Sequence, residues 1–297
     1  MSAPALSLNA SPRVSLGTTL AVLATIFGWA SSFPAIRAAL VDIGPIELGA
    51  LRFLIAAVPA GLFLLIQRAP LPTLGEAWRF ATGGLLFIAL YAALLNTGEK
   101  TVSSGAASFI VNTSPIITAA LAMALLGEKF GKIAWVGTVV SFSGIGLIAL
   151  GEQGGLALDS GAFLILGAAL CTSVTTVVQK PLFARHRALT VSAWNMVLGA
   201  LFLSPFLPVG FEQVQTASNH AVFSVIFLGL VPSLMSYATW TIALSRLPAG
   251  KASNLLFCIP PVATVIGFLW LGEVPTLLGT IGGVLALVGV GIVHLKK

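Results

Sequence analysis

Charge is what this chain has least of. Of 297 residues, 15 are Lys or Arg and nine are Asp or Glu, so 8% are charged, where a soluble domain carries about 25%. Hydrophobic residues make up 57% and the mean hydropathy is +1.03. No soluble fold needs that much apolar surface, so the composition is that of an integral membrane protein. Cysteine is scarce as well. Cys171 and Cys258 both fall mid-span and are read as small apolar side chains, with no support for a disulfide or a metal site, and no cofactor is expected. The net charge of +6 does not point to nucleic acid, because the basic residues are scattered at the ends of apolar segments, where the positive-inside rule places them.

The placement of the few charges excludes more. The nine acids, Asp42, Glu47, Glu76, Glu99, Glu128, Glu152, Asp159, Glu212 and Glu273, fall in loops or at span ends, and His186, His220 and His294 are peripheral. A charge at mid-membrane costs roughly 2.5–3.5 kcal/mol on insertion scales, so chains keep one there only when it works. An intramembrane enzyme needs a nucleophile–base pair or metal ligands, and a channel commonly has a ring of charge; neither pattern is present. Phosphorylated solutes call for fixed Lys or Arg, and Arg52 is the one candidate. What remains is a neutral or zwitterionic solute held by hydroxyls, amides, aromatic faces and backbone groups.

A helix needs about 20 apolar residues to span a bilayer. Ten such segments are expected, at 16–38, 45–66, 78–97, 103–126, 133–150, 160–181, 190–207, 221–245, 248–271 and 275–294. Residues 1–15 read as a polar cytoplasmic tail. The run after them is too long for a signal-peptide core, so it reads as a retained first span. Ten spans put both termini on one side. That side collects twelve of the Lys and Arg residues and the other collects Arg37 and Lys100, with Arg52 inside the second span. Both termini are therefore expected in the cytoplasm.

The chain also repeats itself. Shifting the first half by 145 residues aligns 77–148 without a gap: Gly84 falls on Gly229, Ser108 on Ser253, Pro115 on Pro260, Gly127-Glu128 on Gly272-Glu273, and Gly137, Gly144 and Gly146 on Gly282, Gly289 and Gly291. Two five-helix halves follow, and five is odd, so the second half enters from the opposite face: an inverted repeat, an architecture common among secondary transporters. Pro115 and Pro260 sit mid-span in spans 4 and 9. Each removes a backbone hydrogen bond and frees a carbonyl four residues back, at Val111 and Leu256. Broken backbone at that depth is tolerated where it is buried in protein or lines a wet cavity.

GWASSFPAIRAAL in span 1, LGALRFLIAA in span 2, SSGAASFIVNTSPIITAALAMALLGEK across span 4 and LPAGKASNLLFCIPPVATVIGFLWLGEVPT across span 9 resemble the drug/metabolite transporter superfamily, in particular its ten-helix EamA-type exporters, over essentially the whole chain. The resemblance implies a bacterial inner-membrane carrier with one repeat over 16–150 and a second over 155–297. It also implies a central cavity lined mainly by helices 1, 3, 4, 6, 8 and 9. The small multidrug pumps of that superfamily use a glutamate in helix 1; this chain reads IFGWASSF there, which argues against cation–proton antiport.

The candidate cavity residues are Trp29 and Ser32 in span 1, Tyr91 in span 3, Asn112 and Ser114 in span 4, Ser173 and Thr176 in span 6, Tyr237 and Trp240 in span 8 and Asn254 in span 9, with helix breaks at Pro115 and Pro260. Ser and Thr can also bond their own helix carbonyls, and an amide at mid-membrane needs partners, so Asn112 is the sharper signal. Tyr91 and Tyr237 read either as thin gates above and below the site or as interface-belt tyrosines. Arg52 either snorkels outward, pairs with Glu47 or the end of span 1, or anchors a solute carboxylate from the outer side. Glycine closes LLGE and WLGE cheaply and the glutamate can cap the helix that follows. The stripe Gly137, Ser141, Gly144 and its match Gly282, Ala286, Gly289 serve close packing, within a monomer or across a homodimer, although a monomer suffices. The function expected is export of amino acids or similar small zwitterions through the bilayer; the alternative is a carrier of amphiphilic drugs.

Overall fold

The computed structural model describes residues 15–102, 104–151, 160–271 and 276–294. Most of the expected 1–15 tail lies outside the described residues, as do Glu152, Asp159, Glu273, Lys296 and Lys297. No strand occurs among the described residues. Nine of the helices described are long and apolar enough to cross a membrane: α1 (Leu16–Ala39), α2 (Pro45–Ile66), α3 (Leu74–Gly98), α4 (Ala107–Leu126), α5 (Lys132–Leu150), α6 (Ser160–Ala184), α7 (Ala188–Thr216), α8 (Asn219–Arg246) and α9 (Ala249–Ile266). A tenth apolar helix, α10 (Leu277–Val293), is shorter. The ten expected segments thus all appear as helices, nine of them of spanning length.

Local chemistry sets the interruptions. In α1 the Ser31 hydroxyl donates to the Gly28 carbonyl and Ser32 to that of Trp29, just before Pro34, and the helix turns between Ala30 and Ser32. In α4 one helical segment ends at Val111 and the next begins at Ser114, with Pro115 in its first turn. In α9 the helix tightens to 3₁₀ over Leu255–Cys258 immediately before Ile259 and Pro260. α3 and α8 each loosen into a π-helical stretch, over Gly83–Leu90 and Gly229–Met235, positions that the 145-residue shift superposes to within one residue. Pro232 lies inside the second. Such π segments recur at functional sites.

α4 ends at Gly127, whose φ of +64° is left-handed, a conformation glycine adopts without a Cβ penalty. The following amide, Glu128 N–H, returns to the Ala122 carbonyl at 3.2 Å, as in a Schellman cap. The Glu128 side chain does not cap α5, as the local spacing suggested. Its carboxylate accepts the Ala249 and Gly250 amides at 2.7 and 3.1 Å. It therefore caps α9, a helix of the other half, where a negative charge meets the positive end of the helix dipole.

The glycine stripe seals α5 against α10 within the chain. The Ser141 hydroxyl donates to Ala286 O at 2.9 Å. A Cβ on Gly144 would meet Ala286 N at 2.5 Å and Gly282 O at 2.6 Å. Both obstacles are backbone and cannot swing aside. Gly144→Val is therefore expected to cost about 2–3 kcal/mol through overpacking and to lower the melting temperature of the purified protein. Gly131→Ala, with nothing within 4 Å of its Cβ, serves as the neutral control.

Candidate functional site

The interrupted helices converge on one cavity of about 50 Å³, room for three to five waters at about 10–15 Å³ each. It lies toward the end of the bundle that carries the α1–α2 connection. Its walls come from α1 (Trp29, Ser32, Phe33, Ile36), α2 (Arg52), α3 (Phe87, Tyr91, Leu95), α4 (Val111, Asn112, Ser114), α6 (Thr172), α8 (Tyr237) and α9 (Leu256, Ile259). Val111 and Leu256, four residues before Pro115 and Pro260, both line it, but the Leu256 carbonyl is not freed as expected, because the tightened 3₁₀ turn gives it the Ile259 amide.

Among the described residues of the wall, Arg52 is the only charged one. It is 5% exposed, so it does not snorkel, and it forms no ion pair with Glu47 among the described residues. Its Nε–H donates to Ser233 Oγ at 2.8 Å, and its guanidinium carbon sits 5.1 Å from the centroid of the Phe53 ring. The described residues give the guanidinium no further hydrogen bond, and its two amino groups are left to the cavity.

Beside Arg52, and including the Phe53 ring it lies over, is an aromatic cluster. The Tyr237 ring is 5.3 Å from Trp29, 5.7 Å from Phe53 and 4.8 Å from Phe87, and its hydroxyl donates to the Phe87 carbonyl at 3.3 Å. Trp29 is pinned by its indole N–H, which donates to Pro232 O in the π segment of α8. Such rings offer negative faces to a cation. Tyr91 and Tyr237 both line this cavity. Asn112 donates to Ser108 O at 2.7 Å, which orients its amide in the gap between the two segments of α4.

The structure brings Trp29, Ser32, Tyr91, Asn112, Ser114, Tyr237 and Arg52 together and leaves four candidates outside the wall. Ser173 stands behind Ser114, its hydroxyl 3.0 Å from that residue's carbonyl oxygen. Trp240 packs behind Trp29 at 5.7 Å. Thr176 is buried, its hydroxyl without a partner. Asn254 is spent on structure: it donates to Gly250 O and accepts from the Thr138 hydroxyl of α5, both at 2.8 Å. Phe33, Ile36, Phe87, Leu95 and Ile259 were not expected, and as ordinary apolar span residues they carry no signal. Glu99 is the larger surprise. It does sit at a span end, one residue past α3, yet it is 4% exposed and neither carboxylate oxygen has a hydrogen-bond partner.

The opposite end of the bundle is closed. There Glu128 holds the α9 amides, and the Lys180 ammonium of α6 donates to the Leu244 and Leu247 carbonyls at the end of α8. Gln179 and Asn195 form a reciprocal amide pair at 2.7 and 2.9 Å that ties α6 to α7.

The model of the EamA-like transporter family matches the chain twice, over residues 15–150 and 159–295. An uncharacterized transporter of Bacillus subtilis, YdfC, is 36% identical, over 90% of this chain and 88% of its own length. A probable terminal-alkyne amino-acid exporter of Streptantibioticus cattleyicolor is also 36% identical, over 92% of each chain. A probable amino-acid metabolite efflux pump of Salmonella typhimurium is 25% identical, over 92% of this chain and 93% of its own length. A crystal structure with 20% identity superposes with a TM-score of 0.76 over 95% of this chain and 99% of the other, which shows the shared fold. A multi-pass helical bundle broken around one buried cavity, matched twice along its length by one family model, is a transporter, and this chain belongs to the EamA-like family.

Proposed function

We propose that the protein is a secondary transporter that exports amino acids or similar small zwitterionic metabolites across the bacterial cytoplasmic membrane by alternating access. The observation that carries this reading is Arg52: a buried cation in the wall of an otherwise neutral cavity, with two amino groups unpaired among the described residues and the aromatic cluster around Tyr237 beside it. A guanidinium matches a carboxylate in bidentate fashion. The aromatic faces and the carbonyl of Val111 suit an ammonium. A free amino acid carries both groups.

The matched interruptions of α4 and α9, the matched π segments of α3 and α8 and the two family matches support two inverted five-helix repeats, with α10 completing ten spans in the plane of a tilted or locally thinned bilayer. With both termini in the cytoplasm, the cavity lies on the outer half and the Glu128 and Lys180 contacts close the inner half. A cavity of about 50 Å³ is too small for an amino acid, so loading requires the halves to rock apart. One chain holds all the wall residues, so a monomer suffices as the transporting unit.

The test is counterflow into proteoliposomes preloaded separately with neutral amino acids, a lipophilic cation and a sugar phosphate, with no imposed gradient. Exchange of amino acids alone is expected. Exchange of the lipophilic cation alone would overturn the zwitterion reading in favour of amphiphile efflux.

A further inference from the structure

Glu99 has no role in the account so far, and its surroundings are unusual for a carboxylate. Both oxygens are buried without a hydrogen-bond partner, and so is Oδ1 of Asn96 one turn earlier on the same helix; the other end of that amide donates to Pro45 O at 2.9 Å. Three acceptor atoms are thus confined at the end of α3 with no donor. The charges that act on Glu99 come from two elements: the exposed Arg37 at the end of α1 and the buried Arg52 of α2. Gly161 and Ile165 of α6 pack against Gly98 and bring no charge. On its own strand of chain the titratable neighbours are Tyr91, two turns earlier, and the exposed Lys100. Neither arginine is within ion-pair distance, since the described residues form ion pairs only at Glu76. Leu95, one turn before Glu99, lines the cavity.

We propose that Glu99 is a proton-binding group whose charge state is tied to the occupancy of Arg52: in an alkaline outer medium it is ionised while the cavity is empty and takes up a proton when a solute carboxylate occupies the guanidinium. The proposal rests on the carboxylate reading of Arg52. One buried guanidinium balances one carboxylate in a low-dielectric site, and a second anion there favours its neutral form. Burial pushes the Glu99 carboxyl up to about 8, against the downward pull of Arg37 and Arg52, so with the cavity empty it gives up its proton only in an alkaline medium, where a second anion at Arg52 restores it. The balance is one proton, drawn from water at the outer end, per carboxylate bound. The sign follows: above the empty-state midpoint, solute affinity falls as pH rises, by up to tenfold per unit, because deprotonated Glu99 competes for Arg52. Release to an alkaline outer medium is thereby favoured.

The test reads the infrared carbonyl stretch of a protonated carboxyl in the solute-free, membrane-reconstituted protein across a pH titration. The expected result is a band that titrates in the wild type and is missing in Glu99→Gln. Its midpoint should rise by about one pH unit in Arg52→Gln, as expected when a neighbouring opposite charge is removed, and stay near its place in Arg52→Lys. A band absent at every pH, or a midpoint that Arg52→Gln does not move, overturns the proposal. A second arm adds L-leucine, or leucinamide as the carboxylate-free control, to protein held in weak buffer above the wild-type midpoint, with a pH dye. About one proton taken up per leucine bound, abolished in Glu99→Gln, supports the link. Leucine binding without uptake overturns it and leaves the transport reading standing. No leucine binding, with the infrared shift intact, leaves the Glu99–Arg52 link standing and counts against leucine as a solute.

Discussion

Arg52→Gln is expected to abolish counterflow of neutral amino acids while leaving the fold intact. The guanidinium offers a solute carboxylate two charge-assisted hydrogen bonds, and hydrogen bonds to charged groups contribute about 1.5–3 kcal/mol each. Loss of even about 2 kcal/mol is a factor of roughly 30 in affinity. Stability should move little or rise, because the native side chain is a buried charge with one hydrogen bond and the desolvation cost of such a group goes with it. Arg52→Lys should fall between, since it keeps the charge and loses the planar fork. The check is counterflow alongside thermal unfolding in detergent. A variant that loses transport only because it unfolds would show a lowered melting temperature, and a variant that transports normally would remove Arg52 from the site.

Glu128→Ala is expected to loosen the inner closure. Its carboxylate accepts two backbone amides at the start of α9, which are otherwise among the unpaired amides of a helix N-terminus. Losing a carboxylate cap there costs about 1–2 kcal/mol, or roughly 5- to 30-fold in the equilibrium between closed and open inner halves. Hydrogen exchange over 249–256 should quicken by a similar factor, with the α5–α10 seam unchanged. Glu128→Gln keeps one acceptor and should lie between. Equal exchange in wild type and Glu128→Ala would mean that the cap does not hold the closure.

The helix breaks were legible in the sequence because proline chemistry is local: a missing amide denies the carbonyl four residues back its helical partner, although at Leu256 a 3₁₀ turn supplies the Ile259 amide instead. The same locality made Asn112, Ser114 and Trp29 legible, as polar or aromatic groups beside those breaks. What was not legible depends on which face meets which neighbour. Asn254 looks like Asn112 in sequence, yet it faces α5 and is consumed by Thr138. Glu128 looks like a cap for the next helix, yet it reaches across to α9. Glu99 stands at a span end like the other acids, and only the packing of the end of α3 within the bundle removes it from water. The apolar wall residues Phe33, Phe87 and Ile259 differ in no local way from those that face lipid.

Carboxylate recognition by the cavity is isolated by one competition experiment. Counterflow of a radiolabelled neutral amino acid would be measured against unlabelled L-leucine, leucinamide and the amine left by removing the carboxylate. Leucine is expected to compete, and both carboxylate-free analogues to compete at least about 30-fold more weakly, a difference that disappears in Arg52→Gln. Equal competition by all three in the wild type would contradict it, and would mean that the aromatic walls bind amphiphilic amines with no anchor at Arg52.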